Sequence, residues 1–287
     1  MASSDKPGLS YCAALLRRHD PDRYLTALFA PDQRRESLFA LYAFNLEIAR
    51  AREAVREPMM GRIRLQWWRD ALADAAAGRP YRHEILEPLA AAISERALTA
   101  AWFERLIEAR ERDVESEVPE DMSALLGYAE GSSAALTWLA LEILGGAAGR
   151  EPAAIEAGRK LGIAWALTGL LRAVPYHARH RQLYLPADLL ARHEVRAEDL
   201  LELHRPSGLQ AVVREIAGEA ADQLEAARRA ARGLPRDLLP ALLPGTLAAL
   251  YLKRLERSGF DPYAQSVQVT PPGRIWRLTL RNLVGRF

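Results

Sequence analysis

Apolar residues recur at intervals of three and four positions along most of the chain, whereas alternating apolar and polar positions are scarce. The first spacing places apolar side chains on one face of an α-helix, and the second is typical of a β-strand. The pattern therefore predicts an all-α protein. The predicted helices cover residues 9–18, 33–56, 59–77, 83–97, 99–114, 122–146, 151–175, 208–232, 238–257 and 273–284.

The helical pattern is continuous enough to predict one domain over residues 1–287. No composition shift, Gly/Ser-rich linker or fixed-period repeat divides the chain. The least helical stretch, residues 176–207, contains the basic run HARHRQ followed by YLPADLL. We interpret it as an ordered loop with a functional role, because functional residues concentrate in loops that a rigid scaffold positions.

Composition limits the classes of partner. Hydrophobic residues make up 49% of the chain and charged residues 26%, which suffices for a sizeable core. The 39 basic residues are offset by 37 acidic ones, so no strong overall field favours nucleic acid, and no nucleic-acid partner is expected. A single cysteine, Cys12, excludes an internal disulfide and is typical of a reducing compartment, which predicts a cytoplasmic location.

The sequence predicts no membrane-spanning helix and no signal peptide, because it lacks apolar runs of the required length and position. The last predicted helix, residues 273–284, is different. It places Ile275, Leu278, Leu283 and Val284 near one side and surrounds them with arginines. Two interpretations stay open: an ordinary packed helix, or an interfacial helix that holds the protein peripherally on the inner face of an anionic membrane.

Two helical stripes are candidates for a functional site. Residues four positions apart share a helix face, which groups Asn45, Ala49 and Glu53. The second stripe consists almost entirely of small residues: Gly162, Ala166, Gly169, Ala173 and His177. Such a stripe favours close packing of another helix, and the alternative is a cavity wall.

Pro175 disfavours helix just before itself, so the helix should kink or stop near Val174 and present Tyr176 and His177 at its end.

These segments resemble a known family. LYAFNLEIARAREAV (residues 41–55) resembles the first aspartate-rich segment of squalene and phytoene synthases, and TGLLRAVPYHARHRQLYLP (residues 168–186) resembles the second. LQWWRD (65–70) and YAEGSSA (128–134) extend the resemblance. It implies an isoprenoid-synthase-like helical bundle around a central cavity.

The resemblance also implies where the chemistry should lie. In those synthases each segment supplies two carboxylates that hold Mg²⁺ on a substrate diphosphate. The corresponding positions here are Ala49 and Glu53 in the first segment, and Ala173 and His177 in the second. Only Glu53 retains a carboxylate. Alanine and histidine are poor substitutes for the oxygen ligands that Mg²⁺ prefers, so neither a metal site nor a cofactor is expected.

The departures resemble those of a non-catalytic branch of the same superfamily that assists the assembly of respiratory complex I. They comprise NxE at residues 45–47, LRAVPYHARHR and LPAD. The leading hypothesis is therefore an assembly or accessory factor whose partners are complex I subunits or other assembly factors, with an isoprenoid or lipid as a further ligand. The alternatives are an active Mg²⁺-dependent head-to-head prenyl transferase, and a lipid- or polyprenyl-binding module without an assembly role.

A basic and aromatic cluster follows the second stripe. Its members are Arg172, Tyr176, His177, Arg179, His180 and Arg181. Guanidinium groups bind phosphates and carboxylates in a bidentate manner, so the cluster is a candidate for an anionic headgroup, a metal-free diphosphate or an acidic partner loop. The alternative is a solvated loop whose cations complement the end of a helix dipole.

Overall fold

The computed structural model describes residues 9–52, 58–79 and 81–287, and every regular element in these ranges is a helix. The all-α prediction is confirmed. The α-helices are α1 (Tyr11–His19), α2 (Pro21–Ala27), α3 (Asp32–Ala49), α4 (Pro58–Ala76), α5 (Leu86–Arg96), α6 (Ala100–Glu115), α7 (Met122–Ala129), α8 (Ala135–Gly145), α9 (Pro152–Arg172), α10 (Val174–Arg179), α11 (Ala187–Arg192), α12 (Ala197–Leu201), α13 (Leu209–Ala230), α14 (Leu239–Leu242), α15 (Pro244–Arg257), α16 (Gln265–Gln268) and α17 (Arg274–Leu283).

Helix α9 lies at the centre of the bundle. It packs against α13, α8 and α15, while α3 packs against α1, α5 and α8. Leu161 and Ala164 of α9 belong to one apolar cluster, which includes much of α3 and α8, and Leu167 and Leu171 belong to a second cluster with α13. Because α9 contributes buried residues to both clusters, it joins them into a continuous interior.

Two predicted helices are interrupted. The stretch predicted as one helix over 122–146 contains a π-helical turn, Glu130–Ala134, between α7 and α8. The stretch predicted over 151–175 ends at Arg172, and α10 begins at Val174. Pro175 occupies the first turn of α10, where its missing N–H costs little. The predicted stop near Val174 is therefore confirmed.

The prediction of a continuous helix over 33–56 is wrong at its end. Helix α3 ends at Ala49, and residues 50–52 form a turn. Arg52 explains part of this difference, because it donates to the Asp113 carbonyl (3.2 Å) and to the Ser116 hydroxyl at the end of α6. These tertiary contacts hold Arg52 against the end of α6.

Among the described residues, one stretch, Arg236–Arg257, is long and apolar enough to resemble a membrane span. It comprises a 3₁₀ turn followed by α14 and α15, and 72% of its most apolar window is buried within the bundle. Its apolar residues are therefore explained by the protein core.

Candidate functional site

Asn45 and Ala49 occupy the last two turns of α3. Asn45 is buried, and its Oδ1 atom has no hydrogen-bond partner among the described residues. Ala49 is half-buried at the last position of the helix. Glu53, the third member of the predicted stripe and its only carboxylate, lies outside the described residues.

The small-residue stripe of α9 divides into a packed part and an open part. A Cβ atom added at Gly162 would lie 2.3 Å from the Cα atom of Ala134, so the π-helical turn approaches the α9 backbone closely there. A Cβ atom added at Gly169 would meet no heavy atom of the described residues within 4 Å. Close packing thus explains Gly162, while Gly169 borders open space within the described part of the chain.

Near Gly162, side chains largely fill the space between α3 and α9. The Arg23 guanidinium lies 5.8 Å from the ring centre of Tyr42 on α3 and 5.9 Å from that of Trp165 on α9. The cavity that these residues line with Leu136 measures about 10 Å³. This is close to the space that a single water needs, so no prenyl chain fits at this level.

The predicted basic cluster does not converge on one point. Arg172 is held inside, with its guanidinium 3.5 Å from the ring centre of Tyr251. Tyr176 stacks on His180 with ring centres 4.2 Å apart. Arg179 and Arg181 are exposed. The structure therefore places Arg172 apart from the exposed Arg179 and Arg181, and anion binding by this cluster stays a prediction.

His177 points instead into a buried polar network. Its ring packs edge-on against the ring of Tyr184, with ring centres 4.7 Å apart. The Tyr184 hydroxyl donates to Asp113 Oδ1 (2.8 Å). The other carboxylate oxygen, Oδ2, accepts from Arg110 Nη1 (3.0 Å) and from the Tyr128 hydroxyl (3.1 Å). Asp113 therefore connects α6, α7 and the loop after α10.

Burial controls the protonation states in this network. It lowers the pKa of His177 to about 4, so the imidazole is neutral near pH 7. Burial also raises the pKa values of Tyr128 and Tyr184, which keeps both phenols protonated. The network therefore contains one carboxylate, one guanidinium and neutral donors. The carboxylate of Asp113 is already occupied by three donors, which is typical of a structural role.

A second buried network connects Arg172 to Arg274, the first residue of α17. Tyr251, beneath the Arg172 guanidinium, donates its hydroxyl hydrogen to the buried carboxylate of Asp22. Arg274 of α17 donates to the other oxygen of the same carboxylate (2.6 Å). Burial and the Asp22 charge raise the pKa of Tyr251, so the phenol stays protonated. These contacts join α2, α9, α15 and α17.

Sequence reasoning missed both networks. Asp113 and Tyr128 lie in stretches whose pattern indicates ordinary helix, and Asp22 lies between two predicted helices. The hydrogen-bond partners of Tyr128 and Asp22 in these networks come from other elements of the chain. The YAEGSSA motif, which contains Tyr128, was the one available signal. The motif indicates the family resemblance but not the partner of the tyrosine.

The resemblance to the synthases places metal ligands at four positions of this chain, and the structure describes three of them. The side chains at these three positions do not fit Mg²⁺. Ala49 and Ala173 offer no side-chain ligand, and the neutral imidazole of His177 packs on Tyr184. Mg²⁺ requires hard oxygen ligands in a nearly octahedral arrangement. Within the described ranges, no group of three or more His, Cys, Asp or Glu side chains is arranged to hold a metal ion.

Comparison with known proteins defines the class. The family model for squalene/phytoene synthase matches residues 16–280, and the chain belongs to this family. The fold is similar to that of a dehydrosqualene synthase crystallised in complex with ligand, with a TM-score of 0.82 and 19% identity over 96% of this chain and 94% of that one. The predicted isoprenoid-synthase-like fold is thereby confirmed.

Within the family, the chain is similar to NADH dehydrogenase (ubiquinone) complex I, assembly factor 6 of Mus musculus. The two are 34% identical over 93% of this chain and 81% of the relative. The similarity to the presqualene diphosphate synthase of Rhodopseudomonas palustris is lower, at 27% identity over 76% of this chain and 77% of that enzyme. The predicted resemblance to the assembly-factor branch is confirmed.

Proposed function

We propose that this protein is an accessory factor in the assembly of respiratory complex I (NADH:ubiquinone oxidoreductase) and does not transfer prenyl groups. The observation that carries the proposal is the similarity to assembly factor 6. At 34% identity, it is higher than the similarity to the presqualene diphosphate synthase, at 27%.

The chemistry of the former metal site supports the same conclusion. Ionisation of a prenyl diphosphate requires that the charge developing on the leaving group be neutralised, which metal ions do in the synthases. Ala49, Ala173 and His177 cannot provide carboxylate ligands for such ions. The nearby carboxylate of Asp113 is engaged by Arg110, Tyr128 and Tyr184.

An exposed part of the former second motif supports a contact with a protein partner. Arg179 and Arg181 project from the end of α10 and the following turn, and neither pairs with a carboxylate among the described residues. Two exposed guanidinium groups at an ordered helix end and turn suit an acidic segment of a complex I subunit or of another assembly factor.

The test is deletion of the gene in the source organism, followed by measurement of assembled complex I on native gels and of NADH:quinone oxidoreductase activity. We expect both to fall and to be restored by the wild-type chain. Arg179→Gln/Arg181→Gln should restore them less well than Arg196→Gln, an exposed control weakly paired with Glu198.

The purified chain provides the second arm of the test. It should release no diphosphate from C15 or C20 prenyl diphosphates when Mg²⁺ is added. Normal complex I in the deletion strain together with Mg²⁺-dependent diphosphate release would overturn the proposal in favour of a prenyl transferase. Normal complex I together with binding of a prenyl or lipid ligand, but no turnover, would overturn it in favour of a binding module.

A further inference from the structure

Helix α17 packs on the bundle through a narrow face. Leu278 is fully buried, and Arg274 reaches the buried Asp22. The remaining apolar residues of the helix point away from the protein. Their exposed fractions are 56% for Ile275, 80% for Trp276, 61% for Leu280, 68% for Leu283 and 50% for the adjoining Val284. A surface helix normally turns its apolar face inward, so this arrangement is inverted.

The exposed residues form one continuous surface. Successive residues of an α-helix are rotated by about 100°, which places Trp276, Leu280 and Leu283 together on the side opposite Leu278. Ile275 and Val284 extend this side in both directions. We call these five residues the α17 apolar face. Arg277 and Arg281 project between this face and the bundle, and both are exposed.

A basic cleft adjoins the end of α17. It measures about 620 Å³. The cations that line it are Arg228, Arg232, Arg236, Arg281 and Arg286. Glu225, the acidic side chain in the lining, accepts a hydrogen bond from Arg228 Nη1 at 2.6 Å. Among the described residues, Arg232, Arg281 and Arg286 pair with no carboxylate.

We propose that the α17 apolar face lies in the surface of an anionic phospholipid bilayer and that the adjoining cleft binds phospholipid headgroup phosphates. An exposed apolar helix face flanked by arginines is typical of interfacial helices, which bury that face at the boundary of headgroups and acyl chains. Trp276 is suited to this boundary because indole has both an apolar body and a polar N–H group.

The arginines beside the α17 apolar face favour an anionic bilayer over a second copy of the chain as the surface that this face contacts. In an antiparallel two-fold dimer built on the α17 apolar face, Arg277 and Arg281 of both copies would lie on the same side of the interface, since they flank one edge of the face. Like charges in such an interface oppose association. An anionic bilayer supplies both the apolar layer and the compensating charge, and each arginine near its surface contributes about 1 kcal/mol, or roughly fivefold in binding.

The test is flotation of the purified full chain with vesicles of phosphatidylcholine alone or mixed with phosphatidylglycerol. We expect binding to the anionic vesicles that weakens as salt increases. Trp276→Ser/Leu280→Ser should reduce it at least tenfold, and Arg281→Gln/Arg286→Gln should do so by a similar factor. Val118→Ser and Arg196→Gln, which change exposed residues elsewhere, should have no effect.

Insertion is measured separately by the quenching of tryptophan fluorescence with brominated lipids. Trp276 is the most exposed large hydrophobic residue of the described chain, so most of the quenching should disappear in Trp276→Phe, which should still bind vesicles.

Three outcomes would overturn the proposal. The first is equal binding of wild type and Trp276→Ser/Leu280→Ser. The second is a dimer in light scattering that dissociates in the same variant, which would assign the face to a second copy. The third is inorganic phosphate binding to the cleft without vesicle binding, which would identify a site for free anions.

Discussion

His177 and Tyr184 pack edge-on with ring centres 4.7 Å apart, and this contact links the position of a lost metal ligand to the carboxylate of Asp113. Where a synthase would hold cations between carboxylates, this protein has a neutral imidazole against a phenol. The region is stabilised by hydrogen bonds and ring packing.

Asp113→Asn tests the importance of this network for stability. The change leaves the buried Arg110 guanidinium without its counter-charge, and removal of one partner of a buried ion pair typically costs about 3–5 kcal/mol. We expect the free energy of unfolding in urea to fall by that order. Glu117→Gln removes an exposed ion pair with Arg112 and should cost less than about 1 kcal/mol. Equal effects of the two substitutions would contradict the structural role of Asp113.

The burial of His177 predicts a pH dependence of stability. Its pKa is about 4 in the folded protein and about 6.5 when unfolded, so the unfolded chain binds more protons between these values. Stability is therefore retained above pH 6.5 and lost as the pH falls toward 4. From pH 7 to pH 5, His177 should account for a loss of about 2 kcal/mol.

Urea unfolding at several pH values measures this contribution. The loss between pH 7 and pH 5 should be smaller in His177→Gln and unchanged in His204→Gln, since His204 is exposed. The same loss in wild type and His177→Gln would show that His177 is not held neutral by burial.

The two glycines of α9 form a matched pair of tests. Gly162→Ala should destabilise the protein by about 1–3 kcal/mol, because the new methyl group overlaps the backbone at Ala134. Gly169→Ala should stabilise it by up to about 1 kcal/mol, because alanine favours helix and its methyl group meets no atom of the described residues. Thermal unfolding of both variants measures the difference. Equal destabilisation would mean that Gly169 also lies against a packed surface.

Cys12 should resist thiol reagents in the folded protein. It is 1% exposed, and burial, together with the charges of Glu36 and Glu84, raises its pKa to about 12. Because the thiolate is the reactive form, we expect labelling by an aromatic disulfide reagent to be at least 100-fold slower than in urea. Rapid labelling under native conditions would show that α1 opens readily.

The sequence predicted the elements whose signals are local. The long helices follow from apolar spacing, and the end of α9 follows from Pro175. The short helices α2, α11, α12 and α16 were missed because seven residues or fewer show too little periodicity. The end of α3 was also missed, since Arg52 is held by contacts with residues about 60 positions later.

The candidate site was only partly predictable for the same reason. Loss of carboxylates at residues 49, 173 and 177 is visible in the sequence. The separation of Arg172 from Arg179 and Arg181 is not, because it depends on how α9 ends and on Tyr251 from another helix. Likewise, no local pattern brings Asp113 to Tyr184, 71 positions away.

The ion pair between Arg274 and Asp22 has a mechanical consequence. Asp22 is buried and also accepts a hydrogen bond from Tyr251, so α17 cannot swing away without leaving an unpaired charge inside the protein. Helix α17 is therefore held in a fixed orientation relative to the rest of the bundle. Any surface that α17 contacts sets the orientation of the whole bundle, including the loop that presents Arg179 and Arg181.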